Sequence, residues 1–205
     1  MTETAAILAL LADKLKDLVK RKVRKWAEAD ARDRGEWRGK ATFKKVGERA
    51  ARDLGFPLGV KEVYRVVLDP EDPLRFFSYE TGHEYRASLE FVCNMGSIPR
   101  PLQPVSIGGI LHLHPLDYWK SYSMHDDVYR TGGIYVRDPE KDMDWVFVLL
   151  ERAMGDLLLY WGLGAEDANN ATLQAVARAV RLGSWVPWKR HRKLDLTKPG
   201  KAAKI

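Results

Sequence analysis

The feature that most constrains the fold is a change of hydrophobic period near Lys40. From Thr4 to Asp33, the residues Ile7, Leu8, Leu11, Leu15, Leu18, Val19, Val23 and Trp26 recur near helical spacing with lysines and arginines opposite. That pattern predicts one long amphipathic helix. After a connector, Arg34-Gly35-Glu36-Trp37-Arg38-Gly39, the apolar residues shorten into alternating runs. Lys61 to Leu68, Leu74 to Glu80 and Glu84 to Cys93 are separated by Asp69-Pro70-Glu71-Asp72-Pro73 and Thr81-Gly82-His83. Such runs between turn residues predict a meander of three antiparallel strands. Arg49 to Leu54 reads as a short helix before Gly55, and Pro99 and Pro101 mark a shaped loop, because proline suits neither a helix interior nor a central strand.

Helical spacing returns from Tyr118 or Lys120 through Arg130. The next helix is expected to start with Asp138 as cap and Pro139 in the first helical position, and to end near Tyr160 to Gly164. A last helix, about Glu166 to Leu182, stops at Gly183. The expected fold class is therefore α+β: a long N-terminal helix (1–34), a small antiparallel β-meander, and a C-terminal helical half carrying a His-Asp helix pair. The meander and helical half make up one domain over 35–188, and a basic tail (189–205) follows it.

At 205 residues the chain is long enough to bury one proper core. Its single cysteine, Cys93, excludes an internal disulfide. The apolar run Ala5 to Ala12 follows Glu3 rather than a basic segment and is not expected to be a signal peptide. No stretch reaches the roughly 20 apolar residues of a membrane-spanning helix, so a soluble protein is expected. The net charge of +6 is unevenly placed: seven Lys/Arg against one acid over 189–205, and seven against three over 1–25, leaving a mildly acidic middle. Basic ends suit an anionic lipid surface, nucleic acid or an acidic neighbouring subunit, and equally a solvated helix face with a solubilising tail. Nucleic acid is the less favoured partner, since no aromatic and basic platform is apparent in the acidic middle.

The candidate chemistry lies in Met124-His125-Asp126-Asp127-Val128-Tyr129-Arg130. On a helix, His125 and Tyr129 (i, i+4) and Asp126 and Tyr129 (i, i+3) share one side. The Thr131-Gly132-Gly133 break lets the chain fold back, so that Asp144, on one face of the next helix with Phe147, could meet His125. A neutral imidazole can take a proton from water near pH 7, and a carboxylate on its other nitrogen fixes the tautomer. The same residues would also serve as a buried network pinning two helices together. His112-x-His114 offers a weaker alternative, a metal site completed by Asp117 or His125. His83 and His191 are expected to be solvated, and Ser97 has no adjacent base to activate it. No Gly-x-Ser-x-Gly elbow, phosphate-binding glycine loop or zinc-finger spacing occurs.

An ordered set of segments resembles a phage- and prophage-associated family, domain of unknown function family 1353. They are Gly96-Ser97-Ile98-Pro99-Arg100, His125-Asp126-Asp127-Val128-Tyr129, Met143-Asp144-Trp145-Val146-Phe147 and Ala179-Val180-Arg181-Leu182-Gly183, within roughly Tyr64 to Gly183. The family's usual Asp before its Ser-Ile/Val-Pro-Arg segment is here Asn94 or displaced. This resemblance implies a phage or prophage origin and no particular activity. The helical His-Asp-x-x-Tyr facing an Asp of a second helix is also similar to secreted phospholipase A₂. That likeness implies His125 as general base, Asp126 as calcium ligand, Asp144 as orienter and Tyr129 as its hydrogen-bond partner, with calcium stabilising the oxyanion of an attacked ester.

Two functions are thus expected in competition: an ester or lipid hydrolase, or a noncatalytic phage virion, tail or assembly protein. In the second, residues 1–34 and 189–205 would dock on neighbouring phage subunits or an anionic membrane surface. Either would be found in the bacterial cytoplasm during expression, the second then incorporated in a particle.

Overall fold

The alternating runs after Lys40 do become strands, but they are shared between two sheets. The computed structural model describes residues 32–50, 60–94, 116–141 and 144–183. Eight strands lie among them: β1 (Gly35–Arg38), β2 (Ala41–Ala50), β3 (Val60–Leu68), β4 (Arg75–Ser78), β5 (His83–Arg86), β6 (Glu90–Cys93), β7 (Gly133–Arg137) and β8 (Val146–Leu149). All the pairings are antiparallel, in a five-stranded sheet of order β1-β4-β5-β7-β8 and a three-stranded sheet of order β2-β3-β6. Three helices follow the first six strands: α1 (Trp119–Thr131), α2 (Arg152–Ala165) and α3 (Asn170–Gly183).

The expected order of a long N-terminal helix, a small meander and a helical half is corrected by this architecture. The described chain opens on a 3-10 turn, Arg32–Arg34, and passes directly into strands. Of the helix expected over Thr4 to Asp33, only Arg32 and Asp33 are described, and they belong to that turn. The remainder of 1–34 and the whole of 189–205 lie outside the described residues. The connector at Gly35–Arg38 is a strand, because Trp37 packs on Phe76 with ring centroids 5.5 Å apart while Glu36 and Arg38 face outward. Arg49 and Ala50, the described part of the short helix expected over Arg49 to Leu54, instead end β2.

The single strand expected over Glu84 to Cys93 is broken into β5 and β6, which belong to different sheets. Side-chain alternation continues through Ala87–Leu89, so nothing local marks the break. Two long-range bonds make it: Ser88 N donates to Asp127 Oδ2 (2.7 Å), and Leu89 O accepts from Leu68 N (2.8 Å).

The C-terminal half is likewise not wholly helical. Asp138 caps as expected, accepting from Glu140 N at 3.0 Å, but only one 3-10 turn (Pro139–Lys141) forms. The chain then returns as β8 beside β7, burying Ile134, Val136 and Val148 on one face. Pairing and burial of these β-branched residues outweigh the capping signal.

The core lies between the inner faces of the sheets and the helices. Phe76, Tyr85, Val66 and Phe91 come from the strands, and Leu157, Leu158 and Leu163 from α2; each such side chain contributes about 1.5–3 kcal/mol by leaving water. Helix α2 is buried at every position from Met154 to Gly164, as a helix apolar around its whole circumference must be. It packs against α1, α3, β1 and the 3-10 turn.

The outer face of the five-stranded sheet mixes charged and aromatic side chains, and Glu84 is at its centre. This carboxylate is almost fully buried and accepts from Arg75 Nε (2.9 Å) and from Arg137 Nε and Nη2 (2.9 and 2.5 Å). Burial alone would raise its pKa, but the bonds from Arg137 and Arg75 outweigh burial and hold it below the usual value near 4.5. Its contribution to stability is therefore complete above about pH 4.5 and lost as pH falls through the lower folded-state value. Denaturant titrations between pH 7 and pH 3 should show a steeper acid loss for wild type than for Glu84→Gln. Glu84→Ala at neutral pH should cost about 3 kcal/mol, at the low end for a broken buried ion pair because Arg137 is partly exposed.

Candidate active site

Helices α1 and α2 pack antiparallel, and two glycines leave no room for a side chain where they meet. A Cβ on Gly155 would lie 2.9 Å from Val128 Cγ1; one on Gly162 would lie 2.8 Å from Ser121 Oγ and 3.1 Å from Trp37 Cζ2. Val128 and Ser121 are seven residues apart on α1, as Gly155 and Gly162 are on α2, so the two backbones meet at matching intervals. Their register is locked at one end by Glu166. The first turn of α1 has no side-chain cap of its own, and the Glu166 carboxylate, just past the end of α2, supplies one. It accepts from Ser121 N (3.0 Å), from Lys120 N (3.3 Å) and from Ser121 Oγ. Burial raises the Glu166 carboxyl pKa, and the bonds from Ser121 and Lys120 offset this only in part. Trp37 Nε1 adds a bond to Gly162 O at 3.1 Å.

Between these contacts the helices enclose a histidine, a phenol and a carboxylate. His125 Nε2 lies 3.2 Å from Asp156 Oδ1, and Tyr129 OH donates to the same oxygen. The His125 and Tyr129 rings, one helical turn apart, have centroids 4.2 Å apart. All three groups are buried, and Arg152 Nε stands 4.0 Å from Asp156 Oδ2. A carboxylate can only accept, so Nε2 carries a proton, and in the neutral imidazole the lone pair is on Nδ1. No described residue forms a hydrogen bond to Nδ1. Asp156 sets the tautomer of His125, and Asp156 is itself oriented by Tyr129.

The sequence-predicted residues fall as follows. His125 and Tyr129 are brought together on α1. Asp144 is exposed on the approach to β8, not on a helix, and the acid that meets His125 is Asp156. The reason is the β7–β8 pairing, which takes up the segment around Asp144 and delays the second helix to Arg152. Asp156 carried a signal of its own: a lone acid within an otherwise apolar helix has to find donors once buried.

Asp126 is half-buried and accepts from Asn94 N at 3.1 Å, at the exit of β6. Its neighbour Asp127 is structural, since its oxygens hold Ser88 N and Arg130 Nη2 (2.5 Å). His112 and His114 lie outside the described residues, and Asp117 is exposed. His83, expected to be solvated, is half-buried at the start of β5 with Nδ1 2.5 Å from Thr81 O. His191 lies outside the described residues.

Calcium takes six to eight oxygen ligands. Among the described residues no three His, Cys, Asp or Glu side chains converge on one point, and Asp126 by itself does not make such a site. No helix among them is long and apolar enough to cross a membrane. No family model matches the chain, and neither does any curated protein or solved structure.

Gly162→Ala tests the close approach. Alanine gains about 1 kcal/mol in helix propensity, but Ser121 Oγ is tied to Glu166 and the Trp37 ring to Gly162 O, so neither can yield freely. Overpacking of about 1–3 kcal/mol should dominate, seen as a lower thermal midpoint.

Proposed function

We propose that this chain is a hydrolase of carboxylic esters, with phospholipids the foremost substrate class, and that His125 is its general base. The observation that carries the proposal is the single Asp156 oxygen shared by His125 Nε2 and Tyr129 OH, which leaves Nδ1 as the lone-pair nitrogen. In the reaction, Nδ1 takes a proton from water as the water oxygen attacks the ester carbonyl. The imidazolium is held by Asp156, and the proton passes from Nδ1 to the departing alkoxide as the carbon–oxygen bond breaks. Tyr129 and Asp156 are positioning residues. The lipid substrate class rests on the resemblance of His125-Asp126-x-x-Tyr129 to phospholipase A₂, and a phage or prophage association on the order of the four motifs. Asp126, next to the base and directed at the exit of β6, is the one described candidate for a calcium ligand.

A second reading is favoured by the burial of all three groups: a noncatalytic phage virion or assembly protein in which they cross-link α1 to α2. The two separate in one experiment. Purified full-length chain and His125→Asn, matched by circular dichroism, are assayed on phospholipid vesicles and soluble esters with calcium or chelator. Catalysis should fall about 10²–10⁴-fold in the variant. If folded wild type shows no turnover and His125→Asn lowers the melting temperature, the architectural reading replaces catalysis.

A further inference from the structure

Strand pairing assembles something the linear sequence does not display. On the outer face of the five-stranded sheet, Arg38 and Phe77 lie on neighbouring strands β1 and β4, Arg86 is in register with Tyr135 and Tyr135 with Phe147, and Arg137 stands beside Trp145. The guanidiniums stack on the rings: Arg38 4.1 Å from the Phe77 centroid, Arg86 4.3 Å from Tyr135 and 4.7 Å from Trp145, and Arg137 4.8 Å from Trp145. The acids of this face, Glu36 and Glu84, are each held by these arginines or by Arg75. Two further rings, Phe147 and Tyr79, which pack against Tyr135 and Phe77, are 41% and 54% exposed, so each leaves part of its surface open to a ligand.

Arg86 is the exception that points to a ligand. It is more than nine-tenths buried, its Nε has no hydrogen-bond partner, and its one bond is Nη1 to Ala87 O at 3.0 Å. No described carboxylate pairs with it. Asp127, whose field reaches it, has its oxygens occupied by Ser88 N and Arg130. A buried cation stacked on two rings, with no carboxylate on it among the described residues, favours an anion at the guanidinium nitrogens that those residues leave unpaired.

We infer that this face binds single-stranded nucleic acid, with phosphates on the arginine edges and unpaired bases on Phe147, Tyr79 and the rims of Tyr135 and Trp145. Arginines alternating with aromatic rings across adjacent strands fit a stacked single strand. A membrane surface would call instead for a continuous apolar patch fringed by lysines. A duplex keeps its bases stacked and offers nothing to the rings. The basic segments 1–25 and 189–205 add long-range attraction for any polyanion, so face variants have to carry the test.

Fluorescence anisotropy of the full-length chain is measured with labelled oligothymidylate and oligouridylate over a salt series, with duplex of the same length and phosphatidylserine vesicles as comparison. The expected result is single-strand binding that weakens linearly in log[salt], at least tenfold tighter than duplex. The Tyr79→Ala/Phe147→Ala double variant, which removes only exposed rings, should bind about tenfold more weakly with an unchanged melting temperature. Arg86→Gln should weaken binding further where it remains folded; where it does not fold, the double variant decides. The proposal is overturned by absence of single-strand binding at low salt or by equal binding to duplex. It is equally overturned by a double variant, or a folded Arg86→Gln, that binds like wild type, or by face variants that weaken vesicle binding but not oligonucleotide binding.

Discussion

Everything about the candidate site depends on how closely α1 and α2 can approach. Interaxial distance depends on the side chains at the contact, and at two points of this seam glycine takes the place of a side chain. Those glycines, Gly155 and Gly162, are seven residues apart, flanking the level where Asp156 meets His125 and Tyr129. The burial that results makes Asp156 costly to leave unsatisfied, and its donors answer that cost. Packing and polar geometry are therefore one constraint: the feature that brings His125 and Asp156 together also excludes the water that would weaken their bond.

The same logic organises the other buried acids. Asp127 anchors the passage from β5 to β6, Glu166 caps α1 from the far end of α2, and Glu84 gathers guanidiniums on the outer sheet face. Each carboxylate ties together elements distant in sequence through several donors, which outweigh burial at Glu84 and offset it in part at Glu166. Arg86 breaks the pattern: it is a buried charge with rings for company and no carboxylate among the described residues. Against these well-paired acids, that buried cation without a described carboxylate lies on the outer face, on the side of the sheet away from the helices that carry His125.

The two proposed activities are consequently separable in the fold. His125 sits in the helix layer, behind the inner face of the sheet, whereas the arginine and aromatic array needs only the strand register of β1, β4, β5, β7 and β8. A substitution that removes an exposed ring such as Phe147 leaves the helix seam intact, and a change at His125 leaves the sheet register intact.

Local periodicity settled a good deal from the sequence alone. The α1 helix and its His125–Tyr129 face, the approximate end of α2, and the strands at Val60–Leu68 and Arg75–Ser78 follow from spacings of a few residues, which neighbouring side chains enforce directly. Other features belong to tertiary structure. The split of Glu84–Cys93 between two sheets is made by Asp127 and Leu68, both far away in the chain. The one-turn helix after Asp138 yields to β8 because pairing with β7 buries Val148. That pairing, in turn, determines that Asp156 rather than Asp144 faces His125. The outer array of arginines and rings exists only once the five strands of that sheet are in register. A spacing of three or four residues specifies which side chains share a face; which partner that face meets is set by long-range register and burial, and only the folded chain contains those.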